Sequence, residues 1–148
     1  QKLVSYIKIS VNPKLTDAQI FRNVLACLVA SRVSDIPFSH VLALVHTEST
    51  FRSTAISSMN CRGLTQVSRR IWNTYSTALR LSMYSIENPF ANSMVGTSYL
   101  KALHHSYSGN YHRALQHYNG GLSFSSATNK FANVVIARAN LWSKVIKN

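Results

Sequence analysis

The amino-acid sequence predicts one mainly α-helical domain with a small irregular or β segment after its second helix. Three observations carry the prediction. Apolar residues recur at three- and four-residue spacing along six stretches of the chain. Helix-start residues stand in front of several of them. Clusters of Pro, Gly, Asn and Ser separate them. The 148 residues are enough for one domain with its own core. The chain is 46% hydrophobic, yet no apolar run approaches the ~20 residues that span a bilayer.

Residues 1–14 (QKLVSYIKISVNPK) are rich in β-branched side chains and read as an extended N-terminal arm. Thr16-Asp17-Ala18-Gln19 fits a capping box and starts the first helix, with Phe21, Val24, Leu25 and Leu28 as its apolar face. VSDIPF ends it. The second helix runs from Phe38 to about Ser49. Thr50 to Gly63 (TFRSTAISSMNCRG) lacks strong apolar periodicity and forms the irregular or β-like segment. The third helix spans roughly Thr65 to Leu81, with Val67, Ile71, Tyr75, Ala78 and Leu79 as its stripe. IENPF is a turn, and Asn92 caps a helix through about Tyr107 that faces Val95, Tyr99 and Leu103 inward. SGN at 108–110 is a stop followed by a new cap. A short helix covers Tyr111 to Tyr118 and ends at Gly120-Gly121. The last runs from about Ser126 to Ile146, with Phe131, Val134, Val135, Leu141, Trp142 and Val145 inward.

Charge narrows the partners. Sixteen Lys and Arg against four acids give +12 and a pI near 10.2, a field that attracts polyanions. The cations are spread along the chain, with Arg69-Arg70 the single adjacent pair, which favours surface-wide attraction to an anionic polymer over sequence-specific nucleic-acid reading. Cys27 and Cys61 make no disulfide framework, and two buried thiols are favoured over one bridge. The four clustered histidines (His104, His105, His112, His117) are split by SGN and lack an acid or Cys nearby, so no metal is expected; neither is a cofactor. The start at Gln1 reads as a trimmed product whose signal peptide is already gone.

Within HVLALVHTESTF, one of the four acids lies where an apolar face should be. Val41, Leu44 and Val45 stand on the same side of the helix as Glu48. An apolar setting and a helix C-terminus both disfavour a carboxylate and push towards a protonated acid; the surrounding positive charge opposes this. Asp17 suits a helix start, and Asp35 and Glu87 lie in turns beside prolines.

Glu48-Ser49-Thr50-Phe51, then Ala55, Ser57, Gly63-Leu64-Thr65-Gln66, and later Tyr118-Asn119-Gly120-Gly121 resemble the lytic transglycosylase family with the goose-type lysozyme-like fold. The family's motifs are Glu-Ser with an aromatic two residues on, Gly-Leu-Met-Gln fifteen residues after the glutamate, and Ala-Tyr-Asn with a glycine soon after. VGTSYLKAL and GNYHRALQHYNGG also resemble its helix pair. The likeness covers about residues 15–121. Thr65 in place of Met, Asn60-Cys61-Arg62 in place of small residues, and His117 in place of Ala depart from the pattern.

The resemblance implies roles. Glu48 is the general acid, then base. Ser57 and Gln66 hydrogen-bond the substrate's N-acetyl group or fix the carboxyl. Gly63 lets backbone approach sugar. Tyr118 holds the acetamido group or steers Glu48, and Asn119 braces its loop. The implied reaction is cleavage of peptidoglycan between N-acetylmuramic acid and N-acetylglucosamine with a 1,6-anhydro product, by a monomer acting in the periplasm, outside the cell, or from a phage, virion or secretion/conjugation assembly. Two rivals remain at this stage. One is a lysozyme using Asp35 or Glu87 to position water. The other is a non-catalytic wall- or nucleic-acid-binding module.

Overall fold

The computed structural model describes residues 1–148 as seven helices: α1 (Lys2–Ser10), α2 (Asp17–Ser34), α3 (Phe38–Ser49), α4 (Arg69–Ala78), α5 (Pro89–Ser106), α6 (Tyr111–Gly120) and α7 (Ser126–Lys147). The segment between α3 and α4 contains no strand. It holds only the isolated bridges Ile56–Arg62 and Arg62–Val67, so the irregular reading of this segment stands.

The N-terminal arm is a helix, not an extended chain. Ile7 is fully buried, with Leu3, Val4 and Tyr6 packed beside it, and Tyr6 lies edge-on to Trp142 at 5.2 Å. This packing outweighs the β-branched composition, since propensity is a weak prior against tertiary burial. The capping box at Thr16 is present in full, with Gln19 N–H donating to Thr16 and Thr16 N–H to the Gln19 side chain.

The face that α2 buries differs from the expected one. Phe21 is 62% exposed and Leu25 41%, while Ile20, Asn23, Ala26, Cys27, Ala30 and Ser31 are buried. The reason is proximity. α2 packs chiefly on α5, whose buried residues include the small Ser93 and Thr97. Two small faces allow two helices to approach closely, where Phe or Leu would hold them apart.

α3 is the central element. Val41, Leu42, Ala43, Leu44 and Val45 are all fully buried, so the helix is enclosed by its neighbours, with α2 and α7 packed on it. On α7 the inward positions are Ala132, Val135, Ala139 and Trp142; Leu141, expected inward, is 47% exposed. Trp142 meets His46 and Phe51, each at 5.9 Å, and so joins α7 to the end of α3.

Two helix starts move. α4 begins at Arg69, capped by Ser68 rather than near Thr65, and its stripe buries Trp72 while Ala78 is exposed. α5 is capped by Asn88, which accepts from Phe90 and Ala91 N–H, with Pro89 in the first turn. Asn92 is therefore inside the helix, and fully buried. Asn110 caps α6 as expected.

Candidate active site

Glu48 occupies the last turn of α3, where the central helix leaves the core. The next two residues turn the chain sharply: Thr50 and Phe51 have φ of 49° and 62°. Such left-handed conformations cost roughly 1–2 kcal/mol each for non-glycine residues. Buried amides offset the cost. Asn12 Nδ2 donates to the Thr50 carbonyl at 3.0 Å, and Asn23 Nδ2 to that of Phe51 at 2.8 Å. Ser49 Oγ reaches the Leu64 carbonyl at 2.8 Å and ties the helix end to the following loop. The Glu-Ser pair thus has a structural logic: the serine anchors the loop that carries the remaining site residues.

That loop is held by Asn92 of α5. Asn92 Oδ1 accepts from Thr65 N–H at 2.9 Å and Thr65 Oγ1 at 2.7 Å, and its Nδ2 donates to the Arg62 and Ile86 carbonyls at 2.9 and 2.8 Å. A buried amide satisfied on every side fixes the loop against α5. Gly63, at φ +84°, presses on this amide: a Cβ there would lie 2.2 Å from Asn92 Nδ2. Gly63 is buried, and the close approach that its missing side chain permits within the protein is to Asn92.

The cleft at Glu48 holds about 320 Å³ and is lined by Ser57, Met59, Cys61, Gln66, Tyr118 and Asn119 beside the glutamate. Four of the sequence-selected residues therefore meet Glu48 there, with Gly63 behind them. Cys27 is buried, but Cys61, expected to be a buried thiol, is half-exposed and lines the cleft; both thiols are free.

Each polar group has a defined state. Ser57 Oγ accepts from Cys61 N–H at 3.1 Å, which leaves its own hydrogen for the cleft. Asn60 adopts φ +63° in the same turn, the conformation its residue type tolerates. Gln66 Nε2 donates both hydrogens to backbone, to Ala55 O at 2.9 Å and Gly63 O at 3.0 Å. Its carbonyl oxygen alone remains to accept. Tyr118 Oη donates to the Thr65 carbonyl at 2.7 Å, so towards the cleft it offers a lone pair. Burial raises the Tyr118 pKa well above the usual phenol value, and the nearby Glu48 carboxyl adds to this. Asn119 lies in α6 and lines the cleft, and its side chain bonds to no protein group.

Glu48 is the only acid among these residues. Glu87 pairs with Arg62 at 3.5 Å, and Asp35 with Lys101 at 3.8 Å, both outside the cleft lining. Burial pushes the Glu48 pKa from 4.5 up to about 8, and Glu48 forms no ion pair. The opposing effects at this helix end thus resolve in favour of the neutral acid near neutral pH.

This shift has a measurable cost. The unfolded chain releases the Glu48 proton near 4.5 and the folded chain near 8. Between those values the folded state holds a proton that the unfolded state has lost, so stability falls as pH rises through the window and levels off above it. Glu48→Gln removes the effect. The variant is expected to be more stable than wild type by on the order of 2 kcal/mol at pH 8, after allowing for solvent at the cleft mouth, and nearly equal at pH 4. Thermal melts at both pH values check this; an identical gap at pH 4 and pH 8 would exclude a raised Glu48.

Comparison with known proteins follows the same lines. The family model of the transglycosylase SLT domain matches residues 27–136. No curated protein sequence matches the chain. Among solved structures, an inactive mutant of the lytic transglycosylase Slt from Pseudomonas aeruginosa is 19% identical, with a TM-score of 0.74 over 83% of this chain and 24% of that one. The 70 kDa soluble lytic transglycosylase of Escherichia coli is 20% identical, with a TM-score of 0.70 over 80% and 24%. A complex of the 70 kDa soluble lytic transglycosylase with bulgecin A gives 20% identity and a TM-score of 0.76 over 99% and 30%. At these identities the likeness is one of fold, and the chain spans about a quarter to three tenths of the length of those proteins. The family match extends over most of the chain and includes Glu48, the loop and the helices that hold it: the chain belongs to the transglycosylase SLT domain family.

Proposed function

We propose that this chain is a peptidoglycan lytic transglycosylase that cleaves the β-1,4 bond between N-acetylmuramic acid and N-acetylglucosamine and leaves 1,6-anhydro ends. One observation carries the proposal: a single carboxyl, held neutral by burial, in a cleft with no second acid. Neutral Glu48 donates its proton to the glycosidic oxygen as the bond to C1 breaks. The acetamido carbonyl of the muramyl residue supports the positive charge at C1. Glu48, now a carboxylate, takes the proton of the muramyl 6-hydroxyl as O6 bonds to C1. The carboxyl is regenerated and no water is consumed.

The other side chains suit these steps. Ser57 has a hydrogen to give, and Gln66 and Tyr118 have lone pairs to receive one, so an acetamido group finds a donor for its carbonyl and acceptors for its N–H. The substrate is a glycan strand of the wall, and the +12 charge suits its anionic character. We place the action on the periplasmic side of the wall, whether the chain is exported by the cell or delivered by a phage or a secretion or conjugation assembly, and as a monomer without specific nucleic-acid binding. Peptidoglycan digested with the protein should yield muropeptides one water lighter than lysozyme products and resistant to borohydride. Mass spectrometry checks this; mainly reducible ends would make the protein a hydrolase.

A further inference from the structure

The inner side of α2 packs on the fold; its outer side carries a second pattern. Ala18, Phe21, Leu25, Leu28 and Arg32 recur at alternating three- and four-residue intervals, so they form one row along the helix. Asn23, which donates to the Phe51 carbonyl, marks the side that faces the core. At about 3.6 residues per turn the row is centred on the opposite side. Phe21 is 62% exposed and Leu25 41%, and none of Phe21, Leu25 and Leu28 packs on either hydrophobic core. This spacing is that of a helix–helix seam, not of a solvated face. At its start the row borders the largest cavity of the molecule, a groove of about 520 Å³ between α1 and α2 with Val4 and Ser5 on one wall and Asp17, Ala18 and Phe21 on the other.

Charge along the row identifies what covers it. Asp17 stands at one end and Arg32 at the other. Both are exposed, and neither forms an ion pair within the chain. An anionic surface would be opposed by Asp17, and a cationic one by Arg32. A second α2 laid antiparallel answers both ends at once. About a two-fold axis near Leu25, each Leu25 meets its copy and Phe21 meets Leu28 of the other copy. Arg32 then crosses the small Ala18 of the other copy and reaches Asp17 in the groove.

We propose that the outer face of α2 is a self-pairing surface that takes a second copy of this chain, antiparallel, through the Phe21, Leu25 and Leu28 row and two reciprocal Asp17–Arg32 ion pairs. The lining of the Glu48 cleft includes no residue of α1 or α2, so each copy keeps a complete site and the single chain remains the catalytic unit. Pairing is weak. α2 has 18 residues and is about 27 Å long, and one such face covers less than the roughly 800 Å² per partner of a standard interface. The +12 charge on each copy opposes pairing further. The chain is thus monomeric when dilute and paired where an anionic polymer concentrates it. Two joined clefts on one polymer release it more slowly than one.

Sedimentation velocity over about 1 μM to about 1 mM protein tests the surface. Physiological salt is used throughout, because it confines exposed charge to about 8 Å. The average mass should rise with concentration from 16.5 kDa towards twice that value. Leu25→Glu should hold the chain at the monomer mass, while Met83→Glu, at a 75% exposed methionine before α5, should leave pairing intact. Asp17→Lys and Arg32→Glu should each weaken pairing about tenfold, since each reversal acts twice in a symmetric pair, and the double variant should recover it. A constant monomer mass up to the highest concentration overturns the surface. So does a pair that survives Leu25→Glu, or a loss that the double variant does not recover. A chain that stays monomeric but sediments with phosphatidylglycerol vesicles in a Leu25-dependent way assigns the face to a membrane and overturns self-pairing. Mass is read without substrate, so failure here leaves the transglycosylase reading untouched.

Discussion

Glu48→Gln is expected to lower peptidoglycan cleavage at least about a thousandfold, or about 4 kcal/mol of barrier. The substitution keeps size and shape and removes the acidic proton. Gln cannot protonate a leaving oxygen, and it cannot take up the proton of a 6-hydroxyl, so both halves of the proposed reaction fail together. No other carboxyl lines the cleft to substitute. Asp35→Asn and Glu87→Gln should each stay within about threefold of wild type, because those acids are engaged with Lys101 and Arg62. Release of soluble muropeptides from purified walls measures all three. Glu48→Gln retaining activity within about tenfold of wild type, or Asp35→Asn matching its loss, would end the single-carboxyl mechanism.

The same substitution tests whether the site is a compromise. A half-buried carboxyl with no hydrogen-bonding or ion-pairing partner destabilises the fold once it ionises. The variant that loses activity should gain stability at alkaline pH, as the melts described above would register. Loss of both activity and stability would instead point to a structural glutamate.

How much of this was legible in the sequence depends on whether the signal is local. The capping box at Thr16, the bounds of α3 and the cap at Asn110 were readable, because each is decided by residues three or four apart. Glu48 was readable because it interrupts an apolar stripe and opens a spaced set of motifs. Features set by residues distant in sequence were not. Whether α1 folds as a helix depends on Trp142 at the other end of the chain. The buried face of α2 is chosen by the small residues of α5, so its largest apolar side chains lose to Ala26 and Ala30. Asn92 has the residue type of a cap, and only the arrival of Thr65 and Arg62, about thirty residues earlier, makes it a brace. The left-handed turn at Thr50 and Phe51 had no glycine to announce it, since two asparagines from α2 and the segment before it hold the backbone there.

Gly63→Ala is expected to destabilise the protein by about 3–4 kcal/mol, with Gly109→Ala as the comparison that isolates the cause. Both glycines have φ +84°. Alanine in that conformation costs roughly 1–2 kcal/mol at either position. At Gly109 the added Cβ would meet nothing nearer than the His104 ring at 3.8 Å, so the cost should stop there. At Gly63 it would fall 2.2–2.9 Å from three atoms of the Asn92 amide. That amide is buried and hydrogen-bonded on both its nitrogen and its oxygen, so it cannot turn aside without leaving polar groups unpaired. Crowding of this kind adds about 1–3 kcal/mol. The consequence extends to activity, because the Gly63 carbonyl holds the Gln66 amide and the Thr65 carbonyl holds the Tyr118 hydroxyl. Any residual folded Gly63→Ala protein should therefore cleave peptidoglycan more slowly, while Gly109→Ala should cleave at the wild-type rate. Denaturant titrations of the two variants decide the matter. Costs equal within about 0.5 kcal/mol would mean that the contact between Gly63 and Asn92 does not hold the loop, and that backbone conformation alone makes glycine necessary there.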